Sequence, residues 1–139
     1  MRSARLRRRL GTASLAFDTG ILEQLVERDP ENLDYLAALG EAYTRLRRYG
    51  QGLAVDRRLV AARPDEAVYH YNLACSLALT RDLDGACHEL LEAMSLGYRD
   101  FEHLAKDTDL RQLREDPRFR IVEDRIDEIR LTDDGAATD

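Results

Sequence analysis

Apolar positions recur along this chain at intervals of three and four, and short polar turns interrupt them. The clearest stretch runs from Tyr69 to Leu96. Leu73, Leu77 and Ala78 form one stripe, and Ala86, Leu90, Ala93 and Met94 form a second, each at the spacing of an amphipathic helix. Arg81 and Asp82 break the pattern between them, and Leu83 pins the turn. This predicts two short antiparallel helices. One such hairpin cannot bury both of its apolar faces, so it needs neighbours of its own kind.

The rest of the chain supplies them. Residues 14–29 read as a helix with Ser14 as N-cap and an apolar face of Leu15, Leu22, Leu25 and Val26. Gly20 weakens it by about 1 kcal/mol relative to Ala. It ends at Asp29-Pro30, because a residue before proline is biased out of the α region. Asn32 caps the next helix, Tyr49 and Gly50 mark a turn, and a further helix ends at Pro64. Asp65 opens the central hairpin, and Gly97 closes it as a helix C-cap. Phe101, Leu104 and Ala105 fit a short helix, and Asp109 caps a turn holding Leu110 and Leu113. Asp116-Pro117 then starts a helix with Phe119, Val122, Ile126 and Ile129 on one face. Residues 132–139 carry almost no apolar content and are expected to be disordered.

The hairpins are related by a period. Pro30 and Pro64 are 34 residues apart, and sliding by 34 places Leu39-Gly40 over Leu73-Ala74, Tyr43 over Leu77 and Gly52 over Ala86. Gly40, Gly52, Ala74 and Ala86 are small where two helices would cross closely. Leu36-x-x-Leu39-Gly40-x-x-Tyr43, His70-x-x-Leu73-Ala74-x-x-Leu77 and Ala86-x-x-x-Leu90 together resemble the tetratricopeptide repeat family over roughly residues 14 to 105. Asp56 departs from that pattern, standing where the family prefers an aromatic residue. The stretch from Ser95 to Phe119 resembles the segment that closes bacterial arrays of this family. The resemblance implies an all-α fold: a short right-handed α-solenoid of antiparallel helix pairs with a C-terminal capping helix. The expected organisation is a basic arm or degenerate helix over 1–13, a helical-repeat domain over 14–131 and a tail over 132–139.

Composition bears on partners. Among 139 residues, 44% are hydrophobic and 6% aromatic, with no Trp, which suits helix packing through small contacts. Residues 1–16 hold five arginines and no acid. After residue 16, sixteen basic residues face twenty-seven acidic ones, a net charge of −11. An acidic body argues against general nucleic-acid binding. Three readings compete for the N-terminus: a basic helix, a disordered basic arm, or a targeting segment. The weakly apolar GTASLAF, ended by Asp18, argues against a secretory signal. Arg45, Arg47, Arg48, Arg57, Arg58 and Arg63 gather within nineteen residues, as a solvated face or as a docking patch for an acidic partner.

No catalytic constellation is visible. The chain lacks a P-loop, a dinucleotide-binding glycine pattern, an H-E-x-x-H and a nucleophile elbow. His70, His88 and His103 are scattered, and His70 reads as a packing residue. Asp107-x-Asp109 is best explained by turn capping, and Cys75 and Cys87 by packing as free thiols. No metal, cofactor or small-molecule substrate is expected.

What remains is a surface. In a stacked array the first helix of each pair lines the concave side. The expected groove takes Asp34, Ala38, Glu41 and Arg45 from the first full pair, and Val68, Tyr71, Asn72, Cys75 and Leu79 from the second. Tyr71 is the expected anchor, and Asn72 offers both a donor and an acceptor. Chaperone-binding members of the family clamp a C-terminal carboxylate, but Ala37 and Glu41 stand at positions that clamp would need cationic and amide. The sequence therefore leads to a non-catalytic adaptor that binds a peptide or helix of a protein partner. The alternative is a self-assembling unit joined through its ends. An enzyme subunit completed by another chain is a weaker third. The free cysteines favour the cytoplasm, and membrane binding is not expected.

Overall fold

The computed structural model describes the backbone from residue 2 to residue 136 and the side chains from residue 14 to residue 135. The side chains of residues 2–13 and the last residues of the expected tail, 137–139, fall outside it. The described residues are helical, with no strand among them. Two compact units divide the chain, Met1–Ala62 and Arg63–Asp139.

In the first unit, α1 spans Arg2–Arg28, α2 Leu33–Arg45 and α3 Tyr49–Ala62. The helix expected to start at Ser14 runs continuously from Arg2, so the N-cap expected at Ser14 is corrected. Gly20 does not break it, because a helical glycine weakens the ladder without removing a donor. Thr19 and Val26 are buried on its inner face, with Leu15, Leu22 and Leu25 half-buried. The Thr19 hydroxyl, fully buried, donates to the Leu15 carbonyl at 2.6 Å. The turn after α2 is Leu46–Arg48, so Tyr49 opens α3 instead of marking the turn.

The second unit begins with α4, Ala67–Leu79, and α5, Leu83–Ser95. It continues through α6, Phe101–Lys106, a 3-10 turn over Thr108–Leu110, α7, Arg111–Arg114, a 3-10 turn over Pro117–Phe119, and α8, Arg120–Ala136. The core between these elements holds Leu77, Leu90, Met94, Leu104, Leu110, Leu113 and Val122. Phe119, Ile126 and Ile129 are buried as the sequence pattern requires. The expected tail is corrected in part. Helix α8 runs on to Ala136, where the Thr132 hydroxyl donates to the Glu128 carbonyl at 2.7 Å and no proline stops the ladder.

The 34-residue period is built into the backbone. Helices α2, α4 and α6 start at Leu33, Ala67 and Phe101, behind Asn32, Glu66 and Asp100. Asn32 accepts from the Tyr35 amide and Asp100 from the His103 amide, each at 3.1 Å. The exits of α2 and α4 match as well. Arg47 and Arg81 sit at φ 60° and 70°, 34 residues apart. Each is followed by an amide that reaches back into the last turn, Arg48 to Tyr43 and Asp82 to Leu77, both at 2.9 Å. Gly97, at φ 106°, ends α5 the same way, with Tyr98 bonded to Ala93. These are Schellman closures. All five buried positions of α2 recur as buried positions in α4. Those of α3 recur in α5 except Val55, whose counterpart is Glu89. The third period starts in register and is cut short at Asp107, where α6 ends after six residues.

Candidate binding surface

Within the first unit, the expected groove residues lie on α2. Asp34, Glu41 and Arg45 are exposed, and Ala38 is half-buried. Spacing of one helical turn lets Arg45 donate to Glu41 at 2.7 Å. The pair is open to solvent, so it presents a local dipole and adds little stability. Arg58 donates weakly to the Pro30 carbonyl at 3.4 Å, which ties one member of the arginine patch to its own unit.

Within the second unit, the α4 residues divide. Val68 is 51% exposed and Asn72 is exposed, while Leu79 is half-buried. Tyr71 and Cys75 are buried, at 4% and 7% exposure. This corrects the expectation that they line an open groove. The cover comes from the segment after α5. Tyr98 stacks on Tyr71 with ring centroids 4.5 Å apart and planes 10° apart. His103 leans on the same ring at 5.7 Å. The Tyr71 hydroxyl donates to Asp107 Oδ2 at 2.7 Å, and the Cys75 thiol points to the same oxygen at 3.7 Å.

Asp107 can do this because α6 stops there. Its backbone turns extended, its Oδ1 accepts from the Asp109 amide at 3.0 Å, and its carbonyl accepts from Arg114 at 2.6 Å. Burial and the neighbouring carboxylate push Cys75 and Tyr71 well above their ordinary values, so both stay protonated and serve as donors. Tyr98 is pushed up to about 12, chiefly by burial. Asp109 is raised by burial and by the charge of Asp107. Cys75, Asp107 and Asp109 bring ligand-type atoms within 4.8 Å of one another. The carboxylate of Asp107 is nevertheless already spent on the tyrosine, the thiol and the turn.

A second concavity lies between α6, α7 and α8. It is a cleft of about 320 Å³ with Phe101, Leu104, Phe119 and Ile126 as its floor and Glu123, Asp127 and Arg130 on its rim. Arg130 sits 5.6 Å over the Phe101 ring. Sequence reasoning found the four floor residues as core positions but not the opening between them. Nor did it see Tyr98, His103 and Asp107 converging on Tyr71, although Asp107 is where the period of the third pair fails. Among the described residues no helix is long and apolar enough to cross a membrane.

No protein-family model matches this chain, and a search of curated proteins found no match either.

Proposed function

We propose that this chain is a non-catalytic adaptor of the tetratricopeptide-repeat type, an α-solenoid that holds a peptide or helix of a protein partner. The observation that carries this reading is the recurrence, at 34 residues, of helix starts, left-handed exits and buried positions. A period so regular serves stacking of like units, and stacked units offer extended side-chain surfaces to partners. The surface left to a partner is narrower than the sequence implied. In the first unit it comprises Asp34, Glu41 and Arg45 on α2, and in the second, taken by itself, Val68 and Asn72 on α4. Tyr71 and Cys75 shape α4 from beneath and are not contact residues. Two buried free thiols suit a reducing, cytoplasmic setting.

The test uses affinity capture with the full chain and two surface variants, Val68→Glu with Asn72→Ala, and Glu41→Lys with Arg45→Glu. A partner lost with either variant while the helical spectrum is unchanged supports the adaptor reading. Partners retained by both variants sink it.

A further inference from the structure

We infer that Cys75, His103, Asp107 and Asp109 form a binding site for a divalent transition-metal ion of the Zn²⁺ class. All four belong to the second unit. Cys75 lies on α4, His103 and Asp107 close α6 one helical turn apart, and Asp109 sits in the 3-10 turn that follows. Ligand-type atoms of Cys75, Asp107 and Asp109 lie within 4.8 Å of one another. His103 approaches them through Nε2, 3.2 Å from Asp107 Oδ2. The Cys75 thiol lies 3.7 Å from that same oxygen. Zn–S bonds of about 2.3 Å and Zn–N or Zn–O bonds of about 2.0–2.2 Å, at tetrahedral angles, set ligand atoms roughly 3.4–3.6 Å apart. The two measured edges, 3.2 and 3.7 Å, bracket that separation. Cys75 and the two carboxylates make the fixed part of the site. His103, with 57% of its side chain exposed, has room to turn its ring onto the ion.

The ligand set selects the ion. Thiolate and imidazole favour Zn²⁺ and its neighbours in the first transition row, whereas Mg²⁺ and Ca²⁺ take oxygen ligands. Asp107 shares its carboxylate among Tyr71, Cys75 and the Asp109 amide, and an ion displaces only one of these donors, the thiol proton. A carboxylate offers about four acceptor positions, so the other two bonds persist. The Tyr71 hydroxyl stays on Oδ2 and the Asp109 amide on Oδ1, where they orient the ligand as outer-shell donors do at metal centres. The Asp109 carboxylate is short of a partner. It is half-buried beside Asp107, and no donor among the described residues reaches it. Two carboxylates side by side repel, and a dication turns that repulsion into attraction. On binding, the Cys75 S–H bond breaks, its proton leaves to solvent and the sulfur gives its electron pair to the metal, with no change of oxidation state. The ion then pins α4 to the end of α6. That role is structural, since four protein ligands leave no open position. None of the four belongs to the surface proposed for a partner, so the site stands apart from the adaptor reading.

The experiment titrates Co²⁺ and then Zn²⁺ into the full chain, reduced and stripped of metal with a chelator. Co²⁺ stands in for Zn²⁺ and reports thiolate ligation through a sulfur-to-cobalt charge-transfer absorption. One equivalent per chain is expected to produce that band. Zn²⁺ should displace it and raise the melting temperature. Cys75→Ser should abolish the band, while Cys87→Ser, whose thiol lies against the Arg118 carbonyl, should leave it unchanged. Asp109→Asn and His103→Gln should each weaken Zn²⁺ binding about tenfold or more, and Tyr71→Phe about tenfold. Asp109 and His103 are not core residues, so both variants should keep the helical spectrum of the metal-free chain and read binding alone. Absence of a thiolate band overturns the proposal. So does a band that Cys75→Ser leaves intact or Cys87→Ser removes. Zn²⁺ affinity indifferent to both Asp109→Asn and His103→Gln overturns it too. Stabilisation by Mg²⁺ equal to that by Zn²⁺ reassigns the effect to screening of an acidic surface and overturns it as well.

Discussion

Tyr71 and Asp107 meet at 2.7 Å across 36 residues of sequence, and their bond joins α4 to the point where the repeat period fails. The carboxylate is largely buried, with 12% of its side chain exposed, and it serves the tyrosine, the thiol of Cys75 and the Asp109 amide together. Tyr71→Phe keeps the stacking on Tyr98 and removes one donor. A cost of about 1–2 kcal/mol is expected in urea unfolding. Asp107→Ala removes the acceptor from three donors, one of them the Asp109 amide that caps the following turn, together with the His103 Nε2 contact at 3.2 Å, and should cost roughly 2–4 kcal/mol. If Asp107→Ala is no worse than Tyr71→Phe, the carboxylate is not the hub of these contacts.

Arg47 and Arg81 occupy left-handed backbone that strains any side chain bearing a Cβ. Gly97 fills the equivalent position after α5 without that strain. Arg47→Gly and Arg81→Gly are each expected to stabilise the chain by up to about 1 kcal/mol, net of the added freedom of the unfolded state. Gly97→Ala should destabilise by a similar amount. Melting temperatures of the three variants check the signs. A loss of stability in both arginine variants would mean that their side chains make contacts worth more than the strain.

Those two arginines also mark where the sequence stopped being readable. The helix pairs, Asn32, Gly97, Asp116-Pro117 and the buried set of α8 follow from local rules of spacing and capping, and these were legible. The turn after α2 was misplaced by a few residues, because Tyr49-Gly50 looks like a turn and Arg47 does not. A left-handed arginine has no sequence signal of its own, and only the 34-residue alignment with Arg81 could have exposed it. Tyr71 was misjudged for a different reason. Helical register places it on a face, but what covers that face depends on Tyr98, His103 and Asp107 arriving from a later segment. The continuous α1 was missed because Ser14 and the change in composition near residue 13 look like a helix start, and the backbone runs through both.

Of the glycines in α2 and α3, Gly40 and Gly52 should respond oppositely to alanine. A Cβ on Gly40 would lie 2.9 Å from Val55 Cγ1 and 3.5 Å from Asp56 Oδ1, so α2 and α3 would have to separate. Gly40→Ala is expected to cost roughly 1–3 kcal/mol. A Cβ on Gly52 meets Thr44 Oγ1 at 3.3 Å, with the Gly40 carbonyl oxygen at 3.7 Å and Tyr43 Cβ at 3.8 Å, so it asks only a few tenths of an ångström of the threonine hydroxyl, which donates to the Gly40 carbonyl at 3.1 Å. Gly52→Ala gains up to about 1 kcal/mol of helix propensity and should be neutral or stabilising. Chemical denaturation of both variants compares them directly. Equal and opposite signs reversed from these would show that the pair is not packed through Gly40.

His70 makes the stability of the second unit depend on pH in a definite direction. Its Nδ1 lies 2.6 Å from Glu89 Oε2 and its Nε2 lies 2.7 Å from the Pro64 carbonyl oxygen. With Glu89 ionised both partners only accept, so both ring nitrogens must donate and the ring must be an imidazolium. Burial opposes that charge, but the Glu89 hydrogen bond, the Pro64 carbonyl and the charges of Glu89 and Glu92 outweigh it. The folded pKa therefore lies above the usual 6.5. Folding takes up a proton in this window, so the contribution is fully present below about 6.5 and is lost as pH rises through the folded value. Unfolding free energies of the wild type and His70→Gln, measured from pH 5.5 to 9, should converge as the pH rises, because glutamine cannot carry the charge. His70→Leu leaves Glu89 and the Pro64 carbonyl without their donor and should cost about 1–3 kcal/mol near pH 6. A gap between wild type and His70→Gln that stays constant or widens with pH would show that the buried ring is neutral over this range.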